Sequence, residues 1–571
     1  MAPNTNKPFT APISKIILLF LLFLFTNTFA QSDSVFLVRF IDKGTVQVTD
    51  NPGTLSTKSL ERRKKYAIPL NMQDLPVSKK YIDRVLANTE IHLRYSLKWQ
   101  NGIVVNTTQK AIAEIRELSF VTTTNYVGLT SPPDSITSPL HYTPTLKLKD
   151  SEMNTVDLSI ADYGVSYGQN RQIGVTTLHT LGYNGDGVTV AVFDAGFKNI
   201  DKIPAFLKHQ ANGRLTLGYD AADLDNEFIR SDNHGTAVSS CAGAYDKGKY
   251  IGSAPLAHYI LYRSERGATE TPLEELNWCK VAELADSAGV DMITSSLGYN
   301  QYDDKTLSYT QSQLDGSTSF ISFGAKVAVE KGILVLNSAG NSGDNNWRKI
   351  GTPADVATVL TVGAVDIKDK YGKFSSQGNA ADGTIKPDIS ALGILAYVGS
   401  PSGGYYQGYG TSYATPIAAG GVACLLQAFP ELTPSEINDI IRATSTRTNS
   451  PDSFVGYGVA RFDLAYELQT HINSSPSTPK IIKIDENQVI LYTAGMNEIH
   501  ILLSRRKKLF GLFHINKKIL NEEILTEKSI YNISLSKYKI KCSQKHTVKI
   551  KLKSDVETYK LTNNELYPCS H

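Results

Sequence analysis

Between residues 157 and 470 the chain carries a succession of short runs with no polar alternation: 188–193 (VTVAVF), 259–262 (YILY), 292–296 (MITSS), 333–337 (ILVLN) and 359–365 (VLTVGAV). A strand with one face in water alternates apolar and polar residues, so a continuous apolar run must be covered on both faces. Helical stretches separate these runs. That order predicts an α/β unit, a parallel sheet flanked by helices. The span is long for one domain but workable as a single α/β unit.

The flanks read differently. Residues 35–40 (VFLVRF) are strand-like, and 77–88 place Tyr81, Ile82, Val85 and Leu86 on one helical face. Residues 91–98 and 102–107 read as two strands joined by a turn at Asn101-Gly102. Residues 109–118 are helical, with Ile112, Ile115 and Leu118 in step, and 120–127 form another strand. The order β-α-β-β-α-β predicts a ferredoxin-like α+β module over residues 31–130, a fold that hosts many functions.

Before it, residues 16–25 (IILLFLLFLF) follow Lys7 and Lys15 and precede Thr28-Phe29-Ala30. Ten residues are too few to span a bilayer core of about 30 Å. Charge, apolar stretch and small-residue site together predict a secretory signal peptide over 1–30. No cysteine follows that site, and no other apolar run approaches spanning length. A secreted product with no membrane span is expected.

Residues 131–156 hold Pro132, Pro133, Pro139 and Pro144 with little periodicity and read as a linker. Residues 471–480 (HINSSPSTPK) read as a second one. The last segment, 481–571, is expected to be a small β-sandwich-like domain. Val548, Ile550 and Leu552 alternate with Lys549, Lys551 and Lys553, and Tyr538, Ile540 and Cys542 with Lys537, Lys539 and Lys541. Residues 471–571 carry 17 Lys and Arg against 9 Asp and Glu. That lysine face fits a solvated sheet that blocks edge pairing, or a surface for anionic glycans or a cell surface. Over the whole chain the net charge is only +3, too little for a global nucleic-acid binder. Five cysteines cannot staple a chain of 571 residues.

Three segments carry candidate chemistry. The run 188–193 leads to Asp194-Ala195-Gly196, an acid at the tip of a central strand, where α/β sheets place their sites. His234 opens HGTAVSSCAG, a helix with almost no side-chain bulk. Ser412 opens a second small-residue helix within GTSYATPIAAGG, with Pro416 expected in its first turn. Two Gly- and Ala-rich helices can approach closely enough to bring His234 to Ser412. A serine at a helix N-terminus also has the positive end of the dipole beside any oxyanion it creates.

In the order Asp, His, Ser these segments resemble the subtilisin-like serine proteases, as D-x-G, H-G-T and G-T-S-x-A-T-P. NSAGN (337–341) resembles that family's oxyanion-hole segment, ITSSLG (293–298) its cleft-lining strand, and Gly252-Ser253-Ala254-Pro255 and Lys386-Pro387-Asp388 are further points of likeness. The resemblance covers about residues 157–465. It implies Ser412 as nucleophile, His234 as general base, Asp194 as its orienting carboxylate and Asn341 as oxyanion donor. Ala195 departs from the family, which most often has Ser or Thr after the Asp.

The resemblance also implies that the ferredoxin-like module is an inhibitory propeptide made with the enzyme. Substrate is expected against Ser295, Leu297, Gly298, Ser338, Ala339 and Gly340, whose small uncharged walls predict an apolar P1 side chain. An acid brought in from Asp344 or Asp355 would instead select Arg or Lys. Protein or peptide substrates, no nucleic acid, a monomer and no required cofactor are the remaining expectations. Structural calcium is common in the family, and no ligand set is evident from spacing here. Cys241 and Cys424 read as buried thiols, able to bridge if their helices touch, while Cys542 and Cys569 are the better candidates for a disulfide.

Overall fold

The computed structural model describes residues 33–130 and 158–474, except 46, 49–52, 226, 228, 230 and 231, together with the backbone of the strands between 480 and 568. The predicted signal peptide, the 131–156 linker, the Lys537–Cys542 alternation and Cys569 lie outside the described residues.

The central unit is built on a seven-stranded sheet in which every pairing is parallel. Its order is Ile389–Leu392, Leu360–Val365, Leu334–Ser338, Met292–Ser295, Thr189–Asp194, His258–Arg263 and Leu215–Asp220. All but the last are buried at almost every residue, as runs without alternation require. The chain order reverses on either side of Thr189–Asp194. Asp194 therefore ends a strand at the topological switch point, where a crevice opens outside the carboxyl ends of such a sheet.

The helix His234–Gly243 packs against the helix Thr411–Ala428 on one face of the sheet. On the other face lies the helix Pro272–Ala288, buried along its whole length. Its start is fixed by Pro272 at the first position and a Thr271–Glu274 capping box, its end by Gly289 at φ +83°.

That burial is explained by the N-terminal module. Its four strands take the order His92–Leu97, Gly102–Thr107, Asp33–Phe40, Val121–Thr130, all antiparallel, the sheet of a β-α-β-β-α-β module. The run VFLVRF is apolar throughout because both faces are covered. Phe36, Val38 and Phe40 pack on the module's own helices with Val85, Ile112 and Ile115. Val35 and Leu37, with Tyr95, Leu97 and Val127, join the core that contains Leu276, Trp278 and Val281 of Pro272–Ala288. Each large apolar side chain so buried contributes about 1.5–3 kcal/mol. A helix that the periodicity does not reveal, Thr57–Lys65 (TKSLERRKK), also belongs to this module.

The C-terminal strands form two antiparallel sheets, one of three strands and one of five, with His546–Leu552 in the larger. Residues 471–474 are the last turn of the helix Phe462–Ser474, so the central unit runs slightly past its expected boundary.

Candidate functional site

Asp194 is fully buried, and its Oδ1 accepts two hydrogen bonds, from Ala195 N at 2.8 Å and from His234 Nδ1 at 2.8 Å. Among the described residues its Oδ2 has no partner. His234 is aimed at it by the loop–helix junction. The His234 backbone N–H bonds Asp232 Oδ1 at 2.7 Å, and Gly235 N bonds Gly196 O at 2.9 Å. A Cβ at Gly235 would stand 2.5 Å from Gly196 O, so only glycine permits this closeness. Burial alone would lower the imidazole pKa. The charge and hydrogen bond of Asp194 outweigh it, Glu265 and Asp232 add to them, and His234 is held up at about 9.

Ser412 is the second residue of its helix, and the Tyr413 ring lies 6.3 Å from the His234 ring. Its Oγ donates to Ser296 O over a long 3.4 Å. Pro416 is not in the first turn as expected but at the sixth position of Thr411–Ala428. A proline there cannot donate to the carbonyl four residues back, which is that of Ser412. The Ser296 hydroxyl supplies the missing donor at 2.8 Å. One proline thus turns a helical hydrogen bond into a tether between the Ser412 turn and the 293–298 segment.

Asn341 is positioned by its carbonyl end. Its Oδ1 accepts from Thr411 N and Thr411 Oγ1, both at 3.0 Å, and Gly340 N donates to Thr411 Oγ1 at 3.2 Å. With Oδ1 taken, Nδ2 is turned to the Gly410-Thr411-Ser412 turn. The small-residue segments are joined to one another as well. Asn337 Nδ2 donates to Leu297 O at 2.8 Å and Ser338 Oγ to the same oxygen at 3.4 Å. Leu297, Ser338 and Ala339 are buried, Gly340 is half-buried and Gly298 is exposed. Ser295 Oγ accepts from Trp278 Nε1 at 3.0 Å on the side of the Pro272–Ala288 helix, so Ser295 offers the crevice only its backbone.

Asp344 is exposed. Asp355 is fully buried against Ser322 Oγ at 2.7 Å and Gly316 N at 2.8 Å, and burial pushes it up to about 6.

Thr411, Ser296 and Glu265 were not singled out from the sequence. Thr411 lies inside the quoted GTS motif, and Ser296 inside SSLG, so spacing alone could have flagged them. Glu265 has no local signal. It is half-buried beyond the strand His258–Arg263, accepts from Tyr299 Oη at 3.0 Å, and is pushed up to about 7 by burial and by Asp194. Cys241, Cys279 and Cys424 are buried free thiols. Close packing of two small-residue helices does not by itself bring their sulfurs together.

Comparison with known proteins supplies independent findings. Residues 185–458 match the model described as the Subtilase family, and residues 35–138 the model described as the Peptidase S8 propeptide domain, Bacteroidota. The chain is similar to the Serine protease AprX of Bacillus subtilis, at 30% identity over 297 residues, covering 47% of this chain and 63% of that protein. It is similar to Subtilisin DY of Bacillus licheniformis at 30% identity, covering 50% of this chain and 92% of that protein. Subtilisin E of Bacillus subtilis is 31% identical over 287 residues, covering 50% of this chain and 66% of that protein. The chain thus spans nearly all of one of these relatives and just under two thirds of the other two.

Proposed function

The chain belongs to the subtilase family of serine endopeptidases, and from that premise we propose that it is a secreted enzyme, made as an inhibited precursor, that cuts protein through Asp194, His234 and Ser412. The observation that carries the reading is the 2.8 Å bond from His234 Nδ1 to Asp194 Oδ1, at the switch point and beside the helix that Ser412 opens.

Ser412 Oγ attacks the scissile carbonyl and gives its proton to His234 Nε2. Asp194 holds the proton on Nδ1, which keeps Nε2 free as the base, and stabilises the imidazolium that forms. The tetrahedral oxyanion is met by Asn341 Nδ2 and by the Ser412 backbone N–H, at a helix N-terminus whose dipole favours negative charge. His234 then protonates the leaving amine, and water repeats the sequence on the acyl-enzyme. The family's chemistry needs no organic cofactor.

Secretion is supported by the apolar run at 16–25 with its small-residue site. Inhibition is supported by the N-terminal module, whose sheet shares a core with the helix Pro272–Ala288. Specificity is read as broad, with an apolar P1 side chain entering between the Leu297–Gly298 and Ser338–Gly340 segments. The exposure of Asp344 and the engagement of Asp355 with Ser322 and Gly316 support a slot without an acid.

One experiment tests these statements together. Wild-type protein should shed its N-terminal module and cleave a peptide library after Phe, Tyr, Leu or Met. Ser412→Ala should accumulate uncut, with turnover lower by about 10⁶. Casein cleavage by Ser412→Ala at the wild-type rate would sink the triad, and a preference for Arg or Lys at P1 would sink the apolar slot.

A further inference from the structure

We propose that residues 54–75 of the prodomain are a latch that grips the catalytic unit at the end of the sheet opposite Ser412, and that this latch, rather than the cleft, sets how long the severed prodomain stays bound. The inference rests on the precursor reading above and concerns how the precursor is undone.

Parallel strands share one N-terminal and one C-terminal end. Asp194, Ser296 and Ser338–Asn341 follow the C-terminal ends. The latch meets Thr189, Asp291 and Gly332, at the N-terminal ends of the same strands. Five or six steps of about 3.3 Å each separate the two by roughly 16–20 Å.

The contact is made of buried charge. Asp286 Oδ1 accepts from Arg62 Nη2 at 2.5 Å and Arg63 Nη1 at 3.0 Å, and its Oδ2 from Arg63 Nη2 at 2.8 Å. Arg63 also bonds Asp74 at 2.8 Å, and Asp74 bonds Lys331 of the catalytic unit at 3.0 Å. The side chains of Arg62, Arg63, Asp74, Asp286 and Lys331 are each no more than 5% exposed. Arg62 spends its remaining donors on the carbonyls of Val290 and Lys331. Lys58 pairs with Asp291 at 2.7 Å at the margin, and Tyr66 Oη donates to Leu432 O at 2.9 Å.

Asp286 identifies this as a built contact. It stands in the last turn of Pro272–Ala288, where the helix dipole opposes a carboxylate. Both arginines that neutralise it come from the prodomain. The prodomain is held elsewhere as well: its sheet shares a core with Pro272–Ala288, Glu283 accepts from Lys98 N and Trp99 N at 2.9 and 2.8 Å, and Thr130 Oγ1 on its last strand accepts from Arg266 Nη1 at 2.7 Å. Linked contacts re-form one another after any one opens, so cutting the linker does not free the prodomain until the latch also lets go.

The test uses the full chain carrying Ser412→Ala and an inserted site for an unrelated protease within residues 131–157. After nicking, release of the prodomain is followed by gel filtration and by a fluorophore on the prodomain. The nicked parent should remain one complex. Arg62→Met/Arg63→Met should release roughly a hundredfold faster, the scale on which breaking buried pairs acts. Lys58→Met, partly exposed, should speed release several-fold, and Arg266→Met should speed it less than the arginine pair does.

Release of Arg62→Met/Arg63→Met at the parent rate would overturn the latch, as would faster release from Arg266→Met than from the arginine pair. If the double variant does not fold, Lys58→Met decides, and an unchanged rate overturns the proposal. Because Ser412→Ala is read without activity, this outcome is separate from failure of the inhibitory reading, which would show as wild-type enzyme indifferent to its prodomain.

Discussion

The latch and the candidate site, at opposite ends of the parallel sheet, treat their charged groups in opposite ways. At the N-terminal end the charges are matched, with Asp286 between two arginines, Asp74 between Arg63 and Lys331, and Asp291 between Lys58 and the Thr189 N–H. At the C-terminal end Arg263 pairs with Asp220 and Asp223, but the groups of the candidate site are left under-engaged. Among the described residues Asp194 Oδ2 is buried without a partner, and Ser412 Oγ makes one bond of 3.4 Å. A buried polar group left unpaired costs about 1–3 kcal/mol, so it persists only where the surrounding fold supplies the difference. Here the satisfied end holds and the unsatisfied end is poised to react, and substitutions can separate the two properties.

After Ser412→Ala, the largest effect is expected at Asn341, because in the proposed mechanism its two amide ends have different duties. Asn341→Asp keeps the acceptor that fixes Thr411 N and Oγ1 and removes the donor. Turnover should fall by at least about 10²–10³, the cost of one oxyanion donor, since a carboxylate also repels the developing charge. The melting temperature should stay close to the parent's. An equal loss of activity and stability would mean that Asn341 acts only as a brace for the Ser412 turn.

Much of this poised end is legible in the sequence. Asp194, His234, Asn341 and Ser412 sit in short motifs whose small residues are demanded by backbone contact, as Gly235 against Gly196 shows. The satisfied end is not legible, for a physical reason. Periodicity detects apolar faces, and the buried face of TKSLERRKK is arginine. Nothing local distinguishes an arginine in water from one paired with an acid more than 200 residues away. The place of Pro416 is hidden from the sequence on similar grounds, because the donor that repairs its helix, Ser296, comes from a distant segment.

The second effect is a pH dependence in which stability and activity diverge. His234 is held at about 9, above its unfolded value of 6.5, by Asp194 with Glu265 and Asp232 adding. The stability this pairing contributes is fully present below pH 6.5 and is lost as pH rises through about 9. In the proposed mechanism activity moves the other way, because only the neutral imidazole accepts the Ser412 proton. The kcat/KM of the mature enzyme should climb through neutrality toward about pH 9, and Glu265→Gln should move that rise to lower pH. A rise centred at the ordinary histidine value of about 6.5 would show that Asp194 does not dominate the imidazole.

The smallest effect is also the most local. Among the described residues Asp194 Oδ2 lacks a donor, and the next residue is Ala195, where the family most often carries a hydroxyl. Ala195 is 5% exposed, its N–H already bonds Oδ1, and its carbonyl accepts from Arg263 Nε at 2.8 Å, so its backbone is fixed. Ala195→Ser adds one oxygen on the residue that follows the carboxylate. A hydroxyl donating to Oδ2 satisfies the orphan and should raise stability by about 1 kcal/mol. It also draws charge from the carboxylate, weakens its hold on His234 and moves the rise of kcat/KM to lower pH, with a rate gain of less than about tenfold at neutrality. Calorimetry and a pH–rate profile of the same protein check both parts. If the serine left both unchanged, Oδ2 would already be served by solvent in the mature enzyme, and the contrast between the two ends of the sheet would rest on Ser412 and Asn341 alone.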